Sequence, residues 1–132
     1  MAAFKTSGES SVTGMTTRLA FTSTDSLAVF EAIGRPVWAF ELDAHRICWA
    51  NAAALRFWRA ETLESLVRRE FSDDGVAVGV RLRTIMEQTP PGQSAQETWT
   101  LYPLGEPKQM SVNLTPVTVG EDARDALLIE VM

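Results

Sequence analysis

Three titratable side chains, Glu41, Asp43 and His45, alternate along one short stretch of the chain. A carboxylate beside an imidazole is a pair that general acid–base catalysis uses. Covalent catalysis also needs a nucleophile, and the sequence shows no convergence of nucleophile, base and orienting acid. It has no GxxxxGK phosphate loop, no HExxH zinc motif and no kinase or cyclase signature. We therefore predict no catalytic residue, and we expect any enzymatic output to lie outside this sequence.

The chain has one cysteine, Cys48, and one histidine, His45. A single cysteine excludes an intramolecular disulfide and a cysteine-rich zinc site, and it suits a reducing compartment. Cys48 lies in a predicted strand, where a cysteine usually behaves as a small buried hydrophobe. His45 lies in a predicted turn, where we expect it to face solvent as a weakly pH-sensitive group. No metal site is predicted.

Length and composition indicate one folded domain. The 132 residues are 45% hydrophobic and 22% charged, close to the average of globular proteins. Twelve Lys and Arg against 17 Asp and Glu give a net charge of −5, which repels nucleic-acid backbones and anionic membrane surfaces. No run of about eighteen apolar residues could span a bilayer, and no secretory h-region is present. We expect a cytoplasmic protein without nucleic-acid partners or membrane insertion.

The first 35 residues divide into a polar leader and a short helix. Residues 1–24 are rich in Ser, Thr and Gly, a composition that favours a flexible leader. Residues 25–35 predict an N-terminal flanking helix, because four apolar side chains fall at roughly helical spacing. These four are Leu27, Val29, Phe30 and Ile33. The helix must bury them against its own sheet or against a partner, and both alternatives stay open.

A hairpin and two short helices are predicted next. Alternating apolar residues predict two strands within 37–50, joined by a turn at 43–46. Asn51 stands where the second strand stops, and it is predicted to cap a helix over 52–58. Thr62 is the predicted cap of a further short helix.

The longest predicted helix runs from about residue 73 to residue 89. Ser72, Asp73 and Asp74 start it, and its apolar stripe is Val76, Val80, Leu82, Ile85 and Met86. Pro90 and Pro91 end it, since proline lacks the amide donor and clashes with the preceding turn. Alternation then predicts three strands, over 97–102, 109–117 and 126–131.

This order of elements, and the residues within it, resemble the PAS domain, a small sensory module of signalling proteins. The segment FELDAHRICWANAAA (40–54) is similar to the family's strand, Asp-containing turn, strand, Asn and Ala-rich helix. ETLESL (61–66) is similar to its x-S/T-x-E-E-L helix, and FSD (71–73) to the lead into its long helix. WTLYP and GEP (99–107) resemble the third-to-fourth strand hairpin of PAS modules in bacterial cyclic-di-GMP enzymes and sensor kinases.

The resemblance covers residues 36–132 and implies an α+β fold. The expected PAS fold is a five-stranded antiparallel sheet, with short helices and one longer helix on one face. It also implies a ligand pocket between the inner face of the sheet and the helices. The expected lining residues are Trp38, Phe40, Trp58, Phe71, Val80, Trp99 and Leu101. Each of these would also serve as an ordinary core residue, because aromatic side chains stabilise a small domain with or without a ligand.

The identity of the ligand stays open in the sequence. The flavin-cysteinyl adduct of LOV domains needs a cysteine in a helix motif, and residues 52–89 contain none. Haem-binding PAS domains generally supply an axial histidine from the long helix, and residues 73–89 contain none. The sequence therefore disfavours both, whereas a noncovalent flavin and a small metabolite remain as alternatives.

The resemblance implies a regulatory sensor of two-component or cyclic-di-GMP signalling in bacteria. Such a domain would modulate an output enzyme of the histidine kinase or GGDEF/EAL type, not contained in this sequence. It would act as a homodimer, with Leu27, Val29, Phe30 and Ile33 as the expected contact. The alternative is a protein-interaction and dimerisation module that binds no small ligand.

Overall fold

One mostly antiparallel sheet runs through the fold, and the computed structural model describes residues 4–6, 17–71 and 74–132. Its strands there are β1 (Phe4–Thr6), β2 (Leu19–Phe21), β3 (Val37–Glu41), β4 (Arg46–Ala50), β5 (Ala95–Leu101), β6 (Lys108–Val119) and β7 (Arg124–Val131). A 3₁₀ helix (Thr24–Ala32) precedes β3, and three α-helices separate β4 from β5: α1 (Ala52–Phe57), α2 (Leu63–Val67) and α3 (Val76–Gln88).

The strand order is β1-β5-β6-β7-β3-β4, and β2 pairs in parallel with the end of β6. The five strands β3 to β7 pair antiparallel, as the sequence predicts. Strand β3 has a ladder partner on each side, with Trp38 opposite Ala50 of β4 and Ile129 of β7. This central place explains why the four residues from Val37 to Phe40 are all buried.

The three α-helices pack on one face of the sheet, where they close the larger hydrophobic core. Helix α1 begins at the predicted cap Asn51, whose Oδ1 accepts from the Ala54 N–H. Helix α2 begins with a capping box, because the Thr62 and Ser65 side chains each accept from the other's backbone N–H. Helix α3 buries Leu82, Ile85 and Met86, which belong to the predicted stripe. The helix begins at Val76 with Gly75 as its N-cap, after the predicted start at Asp74, and the other two residues of the predicted start, Ser72 and Asp73, lie outside the described residues.

The 3₁₀ helix covers the opposite face of the sheet. It differs from the α-helix that the sequence predicts, and of its apolar side chains only Leu27 is fully buried. Leu27 packs against Val37, Ala39 and Trp49, which point away from the α-helices. Its side chain therefore has no surface left for a partner, which corrects the prediction that Leu27 forms a dimer contact. Val29, in contrast, is 68% exposed.

The N-terminal leader predicted over residues 1–24 contains strand structure where it is described. Strand β1 pairs with β5, and β2 pairs with β6, so both extend one edge of the sheet. The Phe21 ring also packs edge-on against Phe30 of the 3₁₀ helix, with 5.9 Å between centroids. Composition does not predict these strands, because strand pairing uses backbone N–H and C=O groups. The unpaired groups at an open sheet edge can therefore pair with a segment of almost any sequence. The remainder of the leader, residues 1–3 and 7–16, lies outside the described residues.

Within the part of the chain that the structure describes, no helix has the length and hydropathy needed to cross a membrane.

Candidate functional site

A cavity of about 320 Å³ lies between the inner face of the sheet and α3. Small-molecule sites usually measure about 300–1,000 Å³, so the cavity suits a small ligand. Six of the seven predicted pocket residues line it: Trp38, Phe40, Trp58, Phe71, Trp99 and Leu101. Seven further residues line it that were not predicted to be pocket residues: Ile47, Asp74, Val78, Leu82, Thr100, Tyr102 and Ile129.

Val80, the seventh predicted residue, does not line the cavity. Its side chain is 60% exposed on the other side of α3, where it lines an open groove with Arg83 and Glu87. Val78 and Leu82, four residues apart on α3, face the cavity instead. The predicted stripe is therefore wrong at its N-terminal end and correct at Leu82.

The sheet supplies the floor of the cavity through the alternation of side chains along its strands. Trp38 and Phe40 point inward from β3, and their neighbours point to the opposite face. Trp99 and Leu101 point to the same face from β5, which is separated from β3 by β6 and β7 in the strand order. Because β7 lies between β3 and β6, its residue Ile129 completes the floor.

Aromatic rings support one another in the wall formed by β3, α1 and the segment after α2. The Trp58 ring meets the Trp38 ring edge-on at 5.4 Å between centroids, and it meets the Phe71 ring at 5.6 Å. Phe71 in turn contacts Phe40 at 5.8 Å, and Phe57 stacks on Trp38. Edge-to-face contacts of this kind fix ring orientation. The rings of this wall therefore hold one another in defined orientations.

The indole nitrogen of Trp58 has no hydrogen-bond partner among the described residues, although it is buried. Trp58 is only 4% exposed, and the Arg69 guanidinium donates to its backbone oxygen at 2.9 Å and to Pro103 O at 3.2 Å. A buried N–H without an acceptor costs about 1–3 kcal/mol. Trp58 lines the cavity, but this nitrogen is itself closed off from it, so an acceptor atom of a bound molecule reaches the donor only when a neighbouring side chain moves.

A second tryptophan of the cavity, Trp99, has its indole nitrogen satisfied by the protein. Nε1 of Trp99 donates to Oε1 of Glu97 at 2.7 Å, and the other oxygen of Glu97 pairs with Arg81 of α3. The Glu97 side chain is fully buried. Glu97 is not among the predicted site residues, although its position two residues before Trp99 places both side chains on one face of β5.

The rim of the cavity contains Asp74, Thr100 and Tyr102, which are exposed. The Asp74 carboxylate contacts Nε2 of His45 at 2.7 Å. The His45 ring also packs edge-on against Phe40 at 4.9 Å between centroids. The His45 side chain is 29% exposed, so it faces solvent only in part, because the β3–β4 turn brings its ring against the segment that precedes α3.

Cys48 lies away from the cavity, half-buried on the outer face of the sheet. Burial raises the pKa of its thiol to about 11, and the nearby Glu41 carboxylate adds to the increase. The thiol therefore stays protonated and unreactive near neutral pH. Within residues 17–71 and 74–132, no group of three or more His, Cys, Asp or Glu side chains is placed to hold a metal ion.

Comparison with known proteins identifies the fold through structure. The chain matches no protein-family model and no curated protein sequence. It is similar in structure to the PAS domain of nitrogen regulation protein NR(II) from Vibrio parahaemolyticus, with a TM-score of 0.54 and 20% identity over 80% of this chain and 94% of that one. A PAS domain from a two-component sensor histidine kinase matches with a TM-score of 0.51 and 12% identity, over 79% and 88% of the two chains.

A LOV protein from Rhodobacter sphaeroides is also similar, with a TM-score of 0.56 and 20% identity. The match covers 80% of this chain but only 62% of the LOV protein, which is less than two thirds of its length. The three similarities agree on the same arrangement of sheet and helices.

Proposed function

We propose that this chain, which has the PAS fold, is a regulatory sensor domain whose cavity binds a small ligand and whose occupancy modulates an output enzyme. The observation that carries the proposal is the aromatic cavity of about 320 Å³ between the sheet and α3, which opens to solvent at the rim formed by Asp74 and Tyr102. A concave, mostly apolar cavity of this size with a few polar groups is typical of a small-molecule site. The unpartnered Trp58 indole nitrogen supports the same conclusion.

A small metabolite suits the lining better than a flavin nucleotide does. The LOV neighbour raises the question of flavin, whose ring offers several amide-like groups and whose nucleotide carries phosphate. The lining residues include no side-chain amide and no cation, and they include one carboxylate, Asp74. The cysteine needed for a flavin adduct is not available either, since Cys48 lies on the outer face. We therefore favour a noncovalently bound metabolite.

The proposed output is a histidine kinase or GGDEF/EAL enzyme, and the first is supported by the similarity to a PAS domain from a sensor histidine kinase. Transmission requires that the ligand prefer one conformation or dimer arrangement over another. The alternative function, a dimerisation module without a ligand, is favoured by the exposure of Val29 on the 3₁₀ helix. The two functions predict different results in one experiment.

Native mass spectrometry and an absorption spectrum of the purified protein test the proposal. A mass excess of one small molecule per chain is expected, and flavin bands in the spectrum would identify that cofactor instead. Val78→Phe should abolish the excess because its ring enters the cavity, whereas Val80→Phe on the exposed side of α3 should keep it. An unliganded dimer that stays unliganded after incubation with cell extract would favour the interaction module.

A further inference from the structure

We infer that the cavity selects a small aromatic or aliphatic amine that is positively charged and that also carries a hydrogen-bond acceptor. The inference rests on the proposed ligand-binding function and concerns the class of ligand. Among the described residues that line the cavity, the only charged side chain is a carboxylate, Asp74. No Lys, Arg or His is among these lining residues. Asp74 keeps its second carboxylate oxygen beside the one that contacts His45, and a ligand with a carboxylate or phosphate would find no cationic side chain among the lining residues.

The aromatic lining adds a second reason for a cation. Trp38, Trp58, Phe71, Trp99 and Tyr102 line the cavity together, and the faces of aromatic rings attract positive charge. A protonated amine that entered the rim would contact ring faces and the Asp74 carboxylate at once. The net charge of −5 adds a weak long-range attraction for cations.

The Trp58 indole nitrogen gives the ligand its second polar feature. This N–H is buried on a cavity residue and has no acceptor among the described residues. The other cavity tryptophan with an assigned partner, Trp99, donates to Glu97. The nitrogen is enclosed by its neighbours, so a ligand oxygen that accepts from it, and so removes the cost of the unpartnered donor, must displace a neighbouring side chain. Amine and acceptor therefore belong to one molecule with an apolar body between them.

Three probes that share a phenol ring separate the effects of charge: tyramine is a cation, tyrosol is neutral and 4-hydroxyphenylacetate is an anion. Each has the same ring oxygen as an acceptor. Titration followed by ¹H–¹⁵N spectra reports the four tryptophan indole N–H signals separately, so binding at Trp58 gives both an affinity and a location. We expect tyramine to bind about tenfold more tightly than tyrosol, and 4-hydroxyphenylacetate to bind most weakly.

Matched variants test the two polar groups. Asp74→Asn should remove the preference for tyramine over tyrosol, whereas Asp122→Asn, the same change of charge on the distant β6–β7 turn, should keep it. Trp58→Phe retains an aromatic ring without the donor, and it should weaken tyramine and tyrosol by about the same factor, roughly fivefold. Trp49→Phe, on the outer face of the sheet, should change neither affinity.

The outcomes separate the ligand class from the proposed function. Equal affinities for tyramine and tyrosol, or tightest binding of the acid, would overturn the cation preference and leave the cavity as a binding site. If no probe shifts the Trp58 signal, the inferred class is rejected as well. The proposed function is tested separately, by the mass excess in native mass spectrometry and its loss in Val78→Phe.

Discussion

At the residue scale, Asn51 joins three parts of the fold through one side chain. Its Oδ1 accepts from Ala54 N–H at 2.9 Å and from Val37 N–H at 3.1 Å. Its amide group donates to the backbone oxygens of Phe30, Ile33 and Arg35, at 3.0–3.1 Å. The sequence predicted only the cap, because helix capping is local whereas the other partners lie 14 to 21 residues away. Asn51 therefore ties the 3₁₀ helix to the start of α1.

Asn51→Ala should lower the free energy of unfolding by about 2–4 kcal/mol, because it removes the cap and leaves buried backbone groups unpaired. Asn51→Asp retains the oxygen that caps the helix, but it places a carboxylate oxygen against three carbonyl oxygens. We therefore expect a comparable decrease in the free energy of unfolding. Urea denaturation measures both. Thr62→Ala, which removes an exposed cap, is the reference and should cost about 0.5–2 kcal/mol. Equal losses for Asn51→Ala and Thr62→Ala would contradict the joining role.

Cys48 gives a prediction that depends on pH. With the pKa raised from 9.0 to about 11, the thiolate fraction at pH 8 falls about 100-fold relative to the unfolded chain. Alkylation by iodoacetamide at pH 8 should therefore be at least about 100-fold slower in the folded protein than in urea. Between pH 9 and 11 the unfolded chain loses this proton first, so stability should fall as the pH rises. Similar rates in the two states would show that the thiol is not buried as described.

At the element scale, α3 shows why the cavity could be predicted only in part. Strand β5 alternates clearly, and the two-residue period of a strand puts Trp38 and Phe40 on one face of β3, so these residues and Trp99 could be proposed for the pocket from the sequence. In α3, however, every second residue from Val76 to Leu82 is apolar, a spacing that fits no single helix face. Packing selects Val78 and Leu82 and leaves Val76 and Val80 exposed. The rim residue Asp74 carried no signal, because surface carboxylates before a helix are common as caps.

The 3₁₀ helix is the element in which dimerisation is to be tested. Because Leu27 is part of the chain's own core, its replacement would unfold the outer face rather than separate subunits. Val29→Asp changes an exposed side chain, and it should convert the proposed homodimer to monomers in sedimentation velocity. Val76, on α3, is also exposed, so Val76→Asp is the control and should leave the dimer intact. A dimer that survives Val29→Asp but not Val76→Asp would place the contact on α3 instead.

At the scale of the whole molecule, β3 connects the cavity to the flanking 3₁₀ helix. Its inward residues Trp38 and Phe40 line the cavity, and the alternate residues Val37 and Ala39 pack with Leu27 on the other face. A displacement of β3 on the cavity side should therefore also displace the residues packed against it on the other face, since packed cores transmit small displacements. The Asn51 side chain reinforces this connection, because it bonds both to Val37 and to the backbone that follows the 3₁₀ helix.

Occupancy of the cavity should therefore slow amide hydrogen exchange in the 3₁₀ helix, outside the binding site itself. At a tyramine concentration of 100 times its Kd, binding stabilises the competent state by about 2.7 kcal/mol, which limits the slowing to roughly 100-fold. Exchange measured by mass spectrometry should slow in peptides over 24–35 and over β5. Peptides over the exposed turn at 120–123 should stay unchanged, and Val78→Phe should show no response to tyramine.

Slowing in β5 without any change over 24–35 would show that the ligand binds but that β3 does not transmit its presence. The connection would then have to run through another element, of which α3 is the nearest because Val78 and Leu82 line the same cavity. Arg83 of α3 pairs with Asp43 of the β3–β4 turn and with Asp125 of β7. A response confined to the peptides that contain these three residues would identify that route, because salt-bridged side chains on separate elements move together only while the pairs persist.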